Sequence, residues 1–165
     1  MKKTLLLLLV FITNTLAILS QNNTSYWQQH VNYIMDVDVD VENYQYKGTQ
    51  KLEYTNNSPD DLNQVFYHLY FNAFQPNSEM DARLQSIADP DNRMVQNAGT
   101  LKNPKFESRI AKLLPNEIGY LKVLSLNQNG ESVKYSTEGT VLEVSLNNTI
   151  KPGETVIFDM VFEKY

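Results

Sequence analysis

Residues 33–42, YIMDVDVDVE, place an acidic side chain at every second position with apolar side chains between them. An alternation of period two is typical of a β-strand, because successive side chains of a strand point to opposite faces of the sheet. The stretch predicts a half-buried strand. Its covered face is expected to carry Met35, Val37, Val39 and Val41, and its exposed face Asp36, Asp38, Asp40 and Glu42.

The same aspartates have the spacing of the first ligands of an EF-hand calcium loop that starts at Asp36. That loop needs a glycine at its sixth position and a glutamate at its twelfth, where this chain has Val41 and Lys47. A β-branched residue does not suit the sharp turn, and lysine brings positive charge to the place of the closing carboxylate. The sequence therefore favours the strand, and we expect Asp36, Asp38 and Asp40 to bind calcium no better than millimolar.

The sequence around this stretch continues the same pattern. Residues 43–45 predict a turn, and residues 48–55, GTQKLEYT, predict a second strand whose Lys51 faces the acidic row, so that the two strands form a hairpin. Further strands are predicted at 120–126, 132–135, 140–146 and 155–163, with turns rich in Gly, Pro and Asn between them. This arrangement predicts an all-β fold, an antiparallel β-sandwich.

Two regions depart from simple alternation. Residues 62–74, LNQVFYHLYFNAF, are apolar or aromatic at most positions, which predicts a strand covered on both faces. Residues 75–119 lose the alternation and predict a loop and short-helix insertion over the sandwich. Within that insertion, residues 106–114 predict a short helix that ends before Pro115.

The amino terminus has the features of a secretory signal peptide, here predicted at 1–20. It has a short basic start, an apolar run and small residues near its end. The uninterrupted apolar run at 5–12 is too short for a membrane-spanning helix. We therefore expect residues 21–165 to be exported, to the periplasm or the extracellular space, with no stable membrane anchor after cleavage.

Composition limits the remaining chain to one domain and a few classes of partner. The chain has 165 residues, of which 42% are hydrophobic and 20% charged, as is usual for one globular domain. It has no cysteine, so the exported fold depends on its core alone. The formal net charge of -5 offers no basic surface, and nucleic acid is excluded as the expected partner.

Residues suited to catalysis are few. His30 and His68 are the only imidazoles, and neither belongs to an HExxH zinc motif or accompanies a GxSxG elbow. A hydrogen-bonded structural role is favoured for His68. The carboxylates at 79–91 are favoured as solvated loop acids that cap turns and a helix, with an acid–base pair for glycoside hydrolysis as the alternative. We predict no catalytic, cofactor-binding or metal-binding residue in this chain.

The tyrosine content raises one binding hypothesis. The chain has ten tyrosines, and an exported protein meets glycans. An aromatic sugar-binding platform would be built from Tyr26, Trp27, Tyr33, Tyr44 and Tyr46. The alternative is that these rings belong to strands and are buried in the hydrophobic core.

Three stretches, read in order, resemble the amino-terminal β-sandwich domain of M1-family (gluzincin, aminopeptidase N-like) metallopeptidases, particularly secreted forms from Bacteroidetes-type bacteria. They are YWQQHVNYIMDVDVDVENYQYKGTQKLEYTNNSPD at 26–60, VFYHLYFNAFQPNS at 65–78 and GTVLEVSLNNTIKPGETVIFDMVF at 139–162. The segments DPDNR at 89–93 and LPNEIGYLKVLSLNQNG at 114–130 extend the resemblance.

The resemblance implies a noncatalytic domain that supports or covers a thermolysin-like catalytic domain, and a chain that resembles a truncated peptidase. The family's catalytic domain carries HExxH, a downstream glutamate and a GxMEN-type loop, none of which occurs here. Zinc is expected only in that missing domain, and this chain should be inactive alone. The expected partner is an M1-like catalytic domain in cis or in trans. Peptide substrate is expected to bind only through that domain. Two alternatives stay open: a stand-alone secreted module that binds glycan or peptide, and a structural remnant with no ligand.

Overall fold

The computed structural model describes residues 26–86 and 93–165, so the predicted signal peptide and most of the DPDNR segment lie outside the described residues. Most of the described chain is extended, as the alternating sequence predicts. The strands are β1 His30–Asp40, β2 Gln45–Thr55, β3 Leu62–His68, β4 Val95–Asn97, β5 Phe106–Ser108, β6 Leu121–Gln128, β7 Glu131–Ser132, β8 Lys134–Glu138, β9 Val141–Ile150 and β10 Thr155–Lys164. One α-helix, α1, spans Glu79–Leu84, and short 3-10 turns span Tyr70–Phe74 and Ile110–Lys112.

Two antiparallel sheets enclose the core. The large sheet has the order β1-β2-β10-β6-β7, and the small sheet has the order β3-β9-β8. The strands β4 and β5 pair separately, within the insertion. Fully buried apolar side chains from both sheets meet between them, including Leu126, Leu142, Val144, Ile150 and Phe158. The predicted antiparallel β-sandwich with an insertion around 75–119 is confirmed.

The hairpin predicted from the aspartate–valine stretch is present. Strands β1 and β2 pair with Asp38 opposite Lys47 and Ile34 opposite Lys51, which places Lys51 on the face of the acidic row. Asp40 holds the turn, because its carboxylate accepts hydrogen bonds from the backbone N–H of Glu42 and of Asn43. Hydrogen bonds from Asn43 lower the pKa of the Asp40 carboxyl.

The expected half-burial of β1 is wrong. All 11 residues of the strand are exposed, on both faces. The inner face of β1 continues the inner face of β2, but the small sheet ends at β3 and leaves β1 uncovered. A sequence pattern reports which face of a strand is apolar and cannot report how far the opposing sheet extends.

The strand expected over 62–74 is shorter and less covered than predicted. Strand β3 ends at His68, and the chain continues as the 3-10 turn Tyr70–Phe74. The backbone N–H of Leu69, a buried residue, still donates to Thr140 O, and Leu69 O then accepts from Asn72 N within the 3-10 turn. Only one face of β3 meets the core, since Phe66 on the other face is 56% exposed.

The helix expected at 106–114 is also wrong. Residues Phe106–Ser108 form β5, which pairs with β4, and the backbone N–H of Arg109 extends the contact by donating to Met94 O. Only Ile110–Lys112 is helical, as a 3-10 turn with Ile110 buried. Pairing with a segment about ten residues away replaces the helical hydrogen bonds, and the helical spacing of the apolar residues does not reveal that partner.

Two buried amides tie the loops to the sandwich. Asn56 is fully buried: its Nδ2 donates to Asp60 O and Ile150 O, and its Oδ1 accepts from Ser58 N and Ser58 Oγ. Gln128 is 1% exposed, with Nε2 donating to Asn148 O at 2.8 Å and Oε1 accepting from Asn147 N at 2.9 Å. These amides satisfy loop backbone groups that would otherwise be buried without partners.

Candidate functional site

One side of the sandwich is open, where β1 and β3 are the end strands of their sheets. We call this side, made of β1, β3 and the inner faces of β2 and β10 between them, the open flank. It contains a groove of about 410 Å³. The side chains that line it are mainly apolar and aromatic: Val31, Tyr33, Met35, Gln50, Leu52, Tyr54, Val65, Phe66, Tyr67, His68, Tyr70 and Phe158.

The inner face of β1 forms an uncovered apolar row along this groove. Tyr33 and Met35 are 49% and 52% exposed, and Val37 and Val39 continue the row toward the hairpin turn. Neighbouring strand residues on the same face of the sheet are buried, as at Leu52, which is 4% exposed and lies opposite Tyr33. Contiguous exposed apolar side chains of this kind mark interaction surfaces.

The groove also holds two buried polar atoms without hydrogen-bond partners among the described residues, Gln50 Nε2 and the Tyr67 hydroxyl. Gln50 is 9% exposed and lies opposite Met35. The Tyr67 ring packs edge-on against Phe158, at 6.3 Å between ring centroids. Burial raises the pKa of the Tyr67 phenol, and the neighbouring Tyr33 adds to the rise. Because a buried unpaired polar group costs about 1 to 3 kcal/mol, these atoms favour an occupant that hydrogen-bonds to them.

The two histidines lie on different sheets. His68 is exposed at the end of β3 and stacks on Tyr70, with ring centroids 5.1 Å apart and planes 17° from parallel, at the rim of the groove. This exposed, stacked position does not fit the hydrogen-bonded structural role that the sequence favoured. His30 is the first residue of β1, on the other sheet, and is exposed.

The structure does not assemble the aromatic platform that was one hypothesis for these rings. Tyr26 and Trp27 precede β1, whereas Tyr44 and Tyr46 lie at the far end of the hairpin. An 11-residue strand is about 35 Å long, so one sugar cannot contact both ends. Tyr46 is half-buried against Phe162. Of the five rings, Tyr33 lines the groove.

The carboxylates at 79–91 are only partly within the described residues, which include Glu79 and Asp81 on α1. Asp81 is 2% exposed, so it is not the solvated acid that the sequence favoured. Its capping role is confirmed, because its carboxylate accepts from Asn77 N while its own N–H donates to Ser78 Oγ. Burial raises the pKa of Asp81, but hydrogen bonds from Ser108, Asn77 N and Gln85 outweigh it and hold the pKa below its usual range.

A larger depression of about 710 Å³ lies between α1 and the turn that joins β8 to β9. Glu79, Arg83 and Glu138 are among its lining residues. Among the described residues, the unpartnered buried atoms belong to the open flank and not to this depression. The open flank is therefore the better candidate site.

The aspartate row lies on the outer face of β1, away from the groove. Asp38 Oδ2 is 3.6 Å from Lys47 Nζ, and both side chains are 75% exposed. Within residues 26–86 and 93–165, no group of three or more His, Asp or Glu side chains is arranged to hold a metal ion. The row thus forms a strand face, as the sequence predicts, and not a calcium loop.

No helix in the part of the chain that the structure describes has the length and apolar character needed to cross a membrane.

Comparison with known proteins gives structural similarities alone. No family model and no curated protein matches the chain. An M1 zinc metallopeptidase mutant from Deinococcus radiodurans, bound to a Tyr-Ser-Ala substrate, aligns with 12% identity and a TM-score of 0.46, over 82% of this chain and 20% of that chain. A two-domain M1 zinc metallopeptidase mutant bound to L-tryptophan aligns with the same identity and TM-score, over 84% of this chain and 21% of that chain. This chain thus spans about a fifth of those structures.

Sequence reasoning missed Gln50 and Tyr67 as site residues. A signal for Gln50 exists, since an amide shares its strand face with Leu52 and Tyr54 and so points toward the core. The same signal exists for Tyr67, since a hydroxyl-bearing ring shares its strand face with Val65 and Leu69.

Proposed function

We propose that this chain is the noncatalytic amino-terminal domain of a secreted M1-family zinc metallopeptidase, and that it supports or covers the catalytic domain. The sequence resemblance over residues 26–162 suggests the family. The observation that carries the proposal is the open flank, a long uncovered apolar strand face beside buried polar atoms that need partners.

The open flank has the properties of a surface formed for burial against protein. Its apolar row runs along the inner face of β1, beside a groove of about 410 Å³ that a partner's side chains can fill. Interfaces between domains typically bury about 600 to 1,500 Å², with an apolar centre and a few polar contacts. A catalytic domain packed here, in cis or in trans, covers Tyr33 and Met35 and supplies an acceptor to Gln50 Nε2.

The test mixes the secreted chain with an M1-like catalytic domain from the same genome and measures complex formation by calorimetry and by elution volume. The key variant is Met35→Thr, which keeps a strand-forming residue but shortens the apolar side chain. Its matched control is Ile34→Thr, because Ile34 is 60% exposed on the adjacent position of β1 and faces the opposite side of the sheet.

We expect Met35→Thr to weaken the complex by about 1 to 2 kcal/mol, as for a contact residue of moderate importance, and Ile34→Thr to change it by less than about 0.5 kcal/mol. A chain that stays monomeric, with an elution volume and thermal midpoint unaffected by the catalytic domain, would contradict the proposal.

On this proposal the zinc and the aminopeptidase chemistry belong to the partner domain. The purified chain is expected to hold no stoichiometric zinc and to leave aminoacyl-anilides uncleaved, because it has no HExxH motif and no cysteine. Metal analysis and an anilide assay with and without chelator check this. Chelator-sensitive cleavage by the chain alone is the opposing result.

The second candidate function is a stand-alone module that binds glycan or peptide. The observation that favours it is the aromatic lining of the groove, where Tyr33, Tyr54 and Tyr67 line the wall together with Gln50, and where His68 stacks on Tyr70. Flat rings with a few polar groups are typical of small-ligand sites. Binding of a glycan that Tyr67→Phe weakens, together with indifference to any catalytic domain, would select this candidate.

A further inference from the structure

We propose that the free edge of β1 binds an extended polypeptide strand in which basic residues alternate with apolar residues. The bound strand adds to the large sheet beside β1. Its basic side chains lie on the outer face, next to Asp36, Asp38 and Asp40, and its apolar side chains continue the inner row of Tyr33 and Met35. The inference rests on the proposed function in one respect: strand addition and catalytic-domain binding both require a polypeptide partner at β1.

The backbone of β1 offers the hydrogen bonds that strand addition needs. Among the strands that the structure describes, β1 is the end strand of the five-stranded sheet, and it pairs with β2 over all 11 of its residues. In an antiparallel pair, alternate residues direct their N–H and C=O groups away from the partner strand. A regular strand of this length with an open edge is a template for another strand, and proteins use such edges to bind extended peptides.

Charge selects the partner's chemistry. The outer face of β1 has three carboxylates, Asp36, Asp38 and Asp40, whereas the paired face of β2 has two lysines, Lys47 and Lys51, and one glutamate, Glu53. Lys47 lies opposite Asp38, but Asp36 lies opposite Thr49, which carries no charge. Opposite charges directly across a strand pair are stabilising, so lysine or arginine beside these aspartates favours binding.

The same charges disfavour a second copy of this chain as the occupant. Two copies of β1 paired edge to edge in the antiparallel sense share one outer face, so the aspartates of both copies crowd together along the seam. Like charges across a strand pair are destabilising, and charges on edge strands are a usual protection against self-association. The carboxylates on β1 therefore oppose pairing with a second copy of β1 and favour pairing with a basic strand.

The inner side of β1 provides an independent indication that this flank is covered by protein. Gln50, which lies opposite Met35, is nine-tenths buried and lines the groove beside β1, and its Nε2 has no hydrogen-bond partner among the described residues. Apolar side chains of an added strand lie beside Met35 and shield this part of the groove from water.

The experiment titrates the secreted chain with a synthetic peptide of about nine residues, in which lysine alternates with valine or isoleucine. A peptide with glutamate in place of lysine tests charge. Two further peptides are N-methylated at alternate residues, one in each phase, because only one set of peptide N–H groups faces β1 in a ladder. We expect the lysine peptide to bind, the glutamate peptide not to bind, and one N-methylated phase alone to lose binding.

Protein variants locate the site. Asp36→Asn with Asp38→Asn is expected to weaken binding roughly 2- to 30-fold, from the loss of two cross-strand charge pairs. The matched control is Glu143→Gln, which removes an exposed carboxylate from the small sheet and is expected to leave binding unchanged. Asp40 stays intact in both, because it holds the hairpin turn.

Three results overturn the proposal: no binding of the lysine peptide up to about 1 mM, equal loss from both N-methylated phases, or concentration-dependent dimers of the chain that the peptide does not dissociate. Equal loss from both phases indicates charge attraction without a ladder. If the lysine peptide does not bind while the catalytic domain still binds in a way that Met35→Thr weakens, the strand-addition proposal is wrong and the proposed function stands. If the peptide binds and the catalytic domain does not, the proposed function is wrong and strand addition stands.

Discussion

Met160, Gln50 and Met35 form one cross-strand row on the inner face of the large sheet, yet the two methionines differ in exposure by a factor of ten. Met160 on β10 is 5% exposed and Met35 on β1 is 52% exposed. The sheet presents the same type of side chain at both positions. The difference arises because the small sheet covers β10 and stops before β1. The closed part of the sandwich thus holds the fold together, and the open flank is available for a partner.

The methionine pair is the sharpest test of this comparison. Met160→Ala is expected to lower the free energy of unfolding by about 2 to 5 kcal/mol, because it removes buried methylene groups and leaves a cavity. Met35→Ala is expected to lower it by less than about 1 kcal/mol, because water already contacts that side chain. Urea unfolding of both variants measures the difference, and equal losses would show that β1 is covered in solution.

Two glutamines extend the comparison to polar groups. Gln128→Met is expected to destabilise the chain by about 2 to 3 kcal/mol, because it orphans the backbone groups of Asn147 and Asn148 that the amide binds. Gln50→Met is expected to stabilise the isolated chain by up to about 1 kcal/mol, since it removes a buried donor that lacks a partner.

The opposite signs of the two glutamine variants, measured in one urea series, are the decisive result. Loss of stability in Gln50→Met would mean that this amide already has a partner in the isolated chain, which argues against a polar contact reserved for an occupant.

Tyr67, in the open flank, is expected to make the free energy of unfolding depend on pH in the alkaline range. Burial raises the pKa of its phenol, so the folded chain holds the proton at a pH where the unfolded chain has released it. Below pH about 10, the pKa of tyrosine in the unfolded chain, the protonated Tyr67 makes its full contribution to the free energy of unfolding. Above that pH the unfolded chain releases the proton more readily than the folded chain, so the free energy of unfolding falls by up to about 1.4 kcal/mol per pH unit.

Tyr67→Phe is expected to flatten this alkaline loss, with little cost at neutral pH because the hydroxyl lacks a partner among the described residues. Urea unfolding between pH 9 and 11 follows the change. Tyr135→Phe is the control, since the Tyr135 hydroxyl donates to Val123 O on the closed part of the sandwich and Tyr67 is retained. If the free energy of unfolding of Tyr67→Phe falls with pH as steeply as that of the wild type, Tyr67 is not the cause of the alkaline loss.

The smallest expected effect is on the outer face of β1. Asp38→Asn removes the exposed ion pair with Lys47 and is expected to change the free energy of unfolding by less than about 0.5 kcal/mol. The aspartate row is therefore expected to matter for partner choice and not for stability. A loss above about 1 kcal/mol, unchanged by high salt, would show a structural role for the row.

The elements most accurately predicted are those whose information is local. The aspartate–valine hairpin and the strands at 120–126, 140–146 and 155–163 follow from period two, because one face of each strand is apolar wherever it packs. The helix at 106–114 fails because residues 106–108 pair with 95–97, and a backbone partner outside the segment leaves no mark on the spacing of its apolar residues. The strand at 62–74 stops early at His68 because the chain turns into the 3-10 segment Tyr70–Phe74, in which Asn72 N–H donates to Leu69 O.

The sequence by itself determined the antiparallel β class, the hairpin, the acidic face of β1 and the apolar row behind it, because alternation of side chains is a property of each strand alone. Tertiary structure decided which apolar rows are core and which are surface. That division depends on the small sheet having three strands against five, which leaves Met35 exposed while Met160 is buried. The candidate site arises from this difference in width between two packed sheets, and no single stretch of sequence contains it.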